Sequence, residues 1–211
     1  MMRLMPMLPI FFAMAFLSQI GVFSTPGWAS SSPNITKSAE VSRERILELR
    51  TYAQKRGYST QYGLFVDFSL FSGKRRFYAV NLKTMKVLHS GLVTHGHCQE
   101  QGDLVRFSNQ VGSNCSSEGK YSVGKSYKGN FGLAFKLHGL DSTNSNALKR
   151  YIVMHAHRCV PDNVLDHEIC ESEGCPTLSP RMLNKIEALV LASGKPLLLW
   201  VYKESNIALP S

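Results

Sequence analysis

A mainly β fold, a β-meander or β-sandwich with an N-terminal and a C-terminal helix, is predicted for this 211-residue chain by three observations. Apolar residues recur at helical spacing between residues 40 and 56, at every second position from Tyr62, and at helical spacing again after Ser179. Turn residues punctuate the middle third. No internal repeat and no second domain is visible.

The first 29 residues carry one charge, Arg3, then an apolar run from about Leu8 to Phe23 and a small-residue end at Gly27-Trp28-Ala29. That is the layout of a secretory signal peptide cut after Ala29, and the run is short for a spanning helix. No cysteine stands at the cut, which argues against a lipid anchor. Residues 30–39, rich in Ser, Pro and Asn, read as a linker, and residues 40–211 as one domain long enough for a full core.

Within that domain Ile46, Leu49 and Ala53 define the buried stripe of the first helix, with Ser38 or Ser42 as cap and Gly57 as stop. From Tyr62 the period changes to two: Tyr62, Leu64, Val66, Phe68 and Leu70 alternate with Gly63, Asp67 and Ser69. Ser72-Gly73-Lys74 turns, and 75–82 and 85–94 continue as strands. Residues 133–137 and 151–155 add strands to a mostly antiparallel sheet. Residues 96–128, rich in Gly, Ser and Asn, read as a long irregular loop layer of the kind that carries function. Ser179 caps the last helix, Pro180 takes its first position, Leu183, Ile186, Leu189 and Val190 share a face, and Gly194 closes it. A buried strand, 196–202, follows.

The formal net charge of +9 favours polyanions, yet no basic run of five and no aromatic-glycine RNA motif is present. Nucleic acid is therefore not an expected partner. Solvated surface lysines account for most of the charge.

The chemistry concentrates between Tyr151 and Pro180. An apolar run leads into His155, and Cys175 lies in a Ser172-Glu173-Gly174-Cys175-Pro176 turn just before the last helix. A free thiol is only a few per cent thiolate at neutral pH, so a nucleophilic cysteine needs an imidazole within reach. A glycine before it permits an unusual backbone angle and lets main-chain N–H groups face a developing oxyanion. An inert buried thiol, or a bridge from Cys175 to Cys170, is the plain alternative.

His155 followed by Ser172-x-Gly174-Cys175 resembles the signature of the L,D-transpeptidase catalytic domain, in which a first His precedes a Ser/Thr-His-Gly-Cys turn. Ser116-Ser117-Glu118-Gly119-Lys120-Tyr121 looks like that family's Thr-Pro-x-Gly-x-Phe/Tyr segment. The wording at Arg106-Phe107-Ser108-Asn109 and from Gly129 to Leu140 is most similar to the murein L,D-transpeptidase branch whose nucleophile turn reads Gly-Cys-Pro. The resemblance covers roughly residues 62–202. It departs at Glu173, where most of the family has a second His, and at Ala156, where most have Gly or Ser; the Ala156 carbonyl can still orient the imidazole. His138-Gly139 is a competing pair set too far from Cys175.

The resemblance implies a β fold of the L,D-transpeptidase kind. It implies an exported or periplasmic monomer that acts on peptidoglycan stem peptides without cofactor or metal. Cys175 would be nucleophile and His155 base, with main-chain groups at Gly174 and Ala156 serving the oxyanion and the ring, and Arg106, Asn109, Ser117, Tyr121 and Ser172 shaping the substrate groove. Hydrogen bonding within the loops is an equal alternative for the groove residues. If Cys175 is the free thiol of five, chain neighbours suggest Cys98 with Cys115 and Cys159 with Cys170, one of three pairings that four cysteines allow.

Two rivals stand beside that reading. His95 with His97, or His155 with His157, share a strand face and could hold zinc or copper, although no paired metal motif is present. Glu173 also makes a wall-binding or metal-binding module without activity conceivable.

Overall fold

The structure, a computed structural model, describes residues 41–98 and 105–204. The signal-peptide and linker expectations lie outside the described residues. The chain adopts the expected mainly β architecture with a helix near each end. Its strands form one continuous eight-stranded sheet.

Helix α1 spans Arg43–Arg56; Ser42 is its cap, accepting from the Arg45 N–H at 3.3 Å, and Gly57 ends it with a left-handed φ of 79°. Strands β1 (Tyr62–Asp67), β2 (Phe77–Asn81) and β3 (Lys86–Gly91) form an antiparallel meander. Then come β4 (Gly119–Gly129), β5 (Gly132–Gly139), a 3-10 turn (Ser142–Asn144), β6 (Val153–Ala156), β7 (Thr177–Leu178), α2 (Pro180–Ser193) and β8 (Leu198–Tyr202). The spatial order is β3-β2-β1-β8-β4-β5-β6-β7, with β1–β8 and β6–β7 parallel and the other pairs antiparallel.

Both faces of the sheet are covered, because successive strand residues point to opposite sides. On one side Leu64, Val66, Leu199 and Val201 pack with Met182, Leu183 and Ile186 of α2. On the other, Phe65, Val80 and Leu198 pack with Ile46, Leu49 and Ala53 of α1. That is why β1 is buried from Gly63 to Val66 instead of alternating with solvent as the sequence suggested. A helix on each face covers the central strands β1 and β8.

Two expectations need correction. Residues 119–129, placed in the irregular loop layer, form β4, the longest strand, paired with both β5 and β8. Its alternation is short because only Tyr121 and Val123 are buried, and a register shift between Val123 and Ser126 carries the rest into an exposed hairpin. Strand β6 begins at Val153 instead of Tyr151, whose φ of 56° is a turn conformation.

The chain after β3 binds back onto the far edge of the sheet. Thr94 donates its N–H to the Thr177 carbonyl at 3.1 Å, and Gly96 bridges to Ser172 in parallel. These contacts nearly close the sheet into a barrel. They also bring residues 94–97 beside the segment that precedes β7.

Candidate active site

The site lies where β6 and β7 run parallel. His155 is the register partner of Thr177, and Cys175 is two residues upstream of it. Cys175 therefore falls beside Val153, two residues before His155, and the Val153 N–H points at its Sγ from 3.5 Å. The thiol also reaches the Tyr151 carbonyl at 3.9 Å. Cys175 is the free cysteine, for Cys98 is bridged to Cys115 and Cys159 to Cys170.

The turn that presents the thiol is held from three sides. The Cys175 carbonyl accepts from Thr94 Oγ1 at 3.0 Å and Ser172 Oγ at 2.7 Å, and Thr177 Oγ1 lies 3.4 Å from it. Ser172 also lies 3.1 Å from the His95 carbonyl and accepts the Gly174 N–H at 3.2 Å. Gly174 has a φ of 105°, and a Cβ there would stand 2.5 Å from the Cys115 carbonyl oxygen. Only glycine fits.

His155 is buried. Its Nδ1 lies 3.2 Å from the Ala156 carbonyl, to which it donates in the neutral tautomer, leaving Nε2 to accept from Thr177 Oγ1 at 3.2 Å. Phe131, an exposed residue at the tip of the β4–β5 hairpin, stacks on the imidazole with centroids 4.6 Å apart. One cleft of about 540 Å³ is lined by Tyr127, Phe131, Lys136, Tyr151 and Val153, the last two being the residues whose backbone meets the thiol. Across Phe131 lies another of about 490 Å³, lined by Leu133, His157, Arg158 and Leu183.

Burial favours the neutral form of both Cys175 and His155. Burial pushes the Cys175 thiol up; the Val153 N–H and the Arg150 charge oppose this, and Glu173 adds to it. Burial pulls the His155 imidazole down, against the Ala156 hydrogen bond and together with His157. Neither side chain hydrogen-bonds the other among the described residues.

The residues expected to line a groove divide. Arg106 is exposed, beside the undescribed segment 99–104. Asn109 is spent on loop contacts, donating to Ser142 and Ser145 and accepting the Asn146 N–H. Ser117 and Tyr121 are buried; Tyr121 donates to the Ser117 carbonyl at 2.8 Å, and Ser117 donates to the Ser108 carbonyl while accepting from Arg150. Ser172 holds the turn that presents the Cys175 thiol. The Gly174 N–H is already engaged, and Ala156 contributes its carbonyl to the imidazole.

The histidine clusters are likewise occupied. His95 Nδ1 accepts from the buried Arg76 at 2.9 Å and its Nε2 faces Glu171 at 3.4 Å, while His97 bonds its own loop backbone. His157, Cys159 and Cys170 have ligand atoms within 4.8 Å of one another, but the two sulfurs are joined. That leaves one imidazole there. Sequence reasoning missed Thr177, Phe131 and Arg150. Thr177, two after the cysteine, could have been read as sharing its strand face, whereas the other two reach the site only through tertiary contact.

A family model described as the L,D-transpeptidase catalytic domain matches residues 34–200. No curated protein matches the chain. Among solved structures, the helical cell shape determining protein Pgp2 from Campylobacter jejuni is 14% identical, with 69% of this chain and 49% of that one covered and a TM-score of 0.46. The chain thus spans about half the length of that relative. An L,D-transpeptidase from Xylanimonas cellulosilytica is 13% identical, with 72% and 68% covered and a TM-score of 0.40.

Proposed function

The chain belongs to the L,D-transpeptidase catalytic domain family, and from that premise we propose that it is an exported, monomeric, cysteine-dependent acyl transferase acting on peptidoglycan stem peptides. Cys175 attacks the carbonyl of the L-centre of the third stem residue. The carbon–sulfur bond forms as the carbon–nitrogen bond to the terminal D-residue breaks, leaving a thioester.

His155 takes the thiol proton through Nε2 and returns it to the leaving amine. Because the resting groups are both neutral, the thiol gives up its proton as the attack begins. Main-chain N–H groups serve the tetrahedral oxyanion, each worth about 3 to 4 kcal/mol. With the Gly174 N–H donated to Ser172, the assignment falls on the Cys175 N–H. An amine from a second stem then gives a cross-link, and water gives carboxypeptidase or endopeptidase action.

One observation carries the reading: a free thiol beside the strand that bears a buried imidazole, in a chain whose described remaining cysteines are paired. The two bridges also suit an oxidising compartment, in keeping with a cleaved signal at residues 1–29. No helix among the described residues is long and apolar enough to cross a membrane.

Intact-mass measurement of unreduced protein after incubation with a stem tetrapeptide or a carbapenem tests the proposal. An adduct mapped to Cys175, absent in Cys175→Ala and slow to form in His155→Ala, is expected. Turnover by Cys175→Ala protein would refute the mechanism.

A further inference from the structure

Arg150 lies between the 3-10 turn and β6, in a stretch where the sequence offers no motif. Its guanidinium threads into the loop that the Cys98–Cys115 bridge closes and the residues just after it. Nη1 donates to the Ser108 carbonyl at 2.7 Å and to Ser117 Oγ; Nη2 donates to the Cys115 carbonyl and reaches Ser113 Oγ at 3.4 Å. All four partners are neutral oxygens. Among the described residues no carboxylate is paired with it, so its positive charge is uncompensated locally.

That charge stands directly behind the nucleophile. The position a Cβ would occupy on Gly174 is 3.2 Å from Arg150 Nη2 and 2.5 Å from the Cys115 carbonyl oxygen that Nη2 holds. Arg150 is also adjacent in sequence to Tyr151, whose carbonyl faces the thiol. Arg150 thus touches the wall against which Gly174 packs and stands three residues before Val153, whose N–H meets the sulfur.

A neighbouring substitution gives this position a purpose. Glu173 places a carboxylate next to the nucleophile, and with burial it disfavours the thiolate. A fixed cation nearby works against both. A guanidinium stays protonated throughout the range in which a thiol titrates, and its planar fork is locked by two carbonyl oxygens, so it does not need to be reordered as charge develops.

We propose that Arg150 is the positioning residue of the nucleophile turn, fixing the Cys115 carbonyl over Gly174 and supplying a positive charge that eases formation of the Cys175 thiolate beside Glu173. This rests on the reading of Cys175 as nucleophile. Lysine in its place would keep the charge and lose the fork; glutamine would lose the charge and keep an amide for the carbonyls.

The test is alkylation of Cys175 by iodoacetamide as a function of pH in unreduced protein, with the site confirmed by peptide mass and folding by near-UV circular dichroism. Arg150→Gln should raise the midpoint by about one pH unit, a roughly tenfold smaller thiolate fraction at neutral pH. Arg150→Lys should leave the midpoint close to that of the wild type. A folded Arg150→Gln protein with an unmoved midpoint, or an equal rise in both variants, would overturn the proposal. Should Arg150→Gln not fold, Ser117→Ala, which loosens Nη1, is read in the same way: a raised midpoint supports the role and an unchanged one sinks it. The titration reads the thiol whether or not the protein has a stem-peptide substrate, so its failure is separable from a failure of carbapenem acylation in the wild type.

Discussion

Thr177 and His155 face each other across the parallel β6–β7 pair, with Thr177 Oγ1 3.2 Å from His155 Nε2. The nitrogen that the proposed mechanism uses as base is therefore already hydrogen-bonded at rest, and the hydroxyl fixes where its lone pair points.

Replacing Thr177 by valine removes that hydroxyl while keeping the shape. Acylation of Cys175 by a carbapenem should slow by about tenfold and stability should fall by about 1 kcal/mol, the typical worth of a buried hydrogen bond. Thr177→Ser should restore most of the rate. Time-resolved intact mass and thermal melts measure the two; an unchanged valine variant would show that the contact orients nothing.

Burial under Phe131 bears on pH. With its pKa lowered by burial, His155 remains a neutral base below the ordinary histidine value of about 6.5. The acid limb of the acylation rate should accordingly have its midpoint under that value. Phe131→Ala opens the ring to water and should move the limb upward, toward 6.5. An unmoved limb would mean that the exposed phenyl ring does not control hydration of the imidazole.

His95 gives the fold itself a pH dependence. Burial and the Arg76 guanidinium, whose own pKa is drawn down to about 10, hold the His95 pKa at about 4. A histidine whose folded pKa lies below its unfolded value of about 6.5 binds more protons when unfolded. Its contribution is thus complete above pH 6.5 and is lost as the pH falls toward 4, by at most about 3 kcal/mol. Melting temperatures of wild type and His95→Gln, taken between pH 7 and 4, should converge on acidification, since glutamine can still accept from Arg76 without titrating. Parallel curves would remove His95 as the source.

Gly174→Ala should be poorly tolerated. A φ of 105° disfavours any side chain, and the added methyl would press into the Cys115 carbonyl. A loss of about 1 to 3 kcal/mol is expected from the backbone alone, together with loss of the carbapenem adduct. Denaturant unfolding and intact mass read the two separately; a variant with native stability and native acylation would mean that the turn can relax away from the Cys98–Cys115 loop.

The features legible in the sequence are those whose causes are local. Ser42 and Gly57 bound α1, and Ser179, Pro180 and Gly194 bound α2, because caps act within one turn. The tight turn at Gly174 and the free state of Cys175 were legible too, the first because its cause is equally local. Strand β4 was not: its glycines, serines and lysines are sustained by two neighbouring strands, and their pairing cannot be seen in composition. Arg150 escaped notice because its partners lie 33 to 42 positions away. Tyr121 and Ser117 looked like groove residues because a polar group in a glycine-rich stretch reads the same whether it faces solvent or a buried carbonyl.

The place of β8 between β1 and β4 has a consequence for the order of assembly. Within the strand order, β1 to β3 and β4 to β7 meet across residues 198–202, among the last of the described residues to be synthesised. Until they arrive, the two halves present unpaired edges, and closing so distant a contact is intrinsically slow. The two bridges span only 17 and 11 positions and fall outside that seam, so oxidation can secure the loops around the thiol before the sheet that carries it is complete.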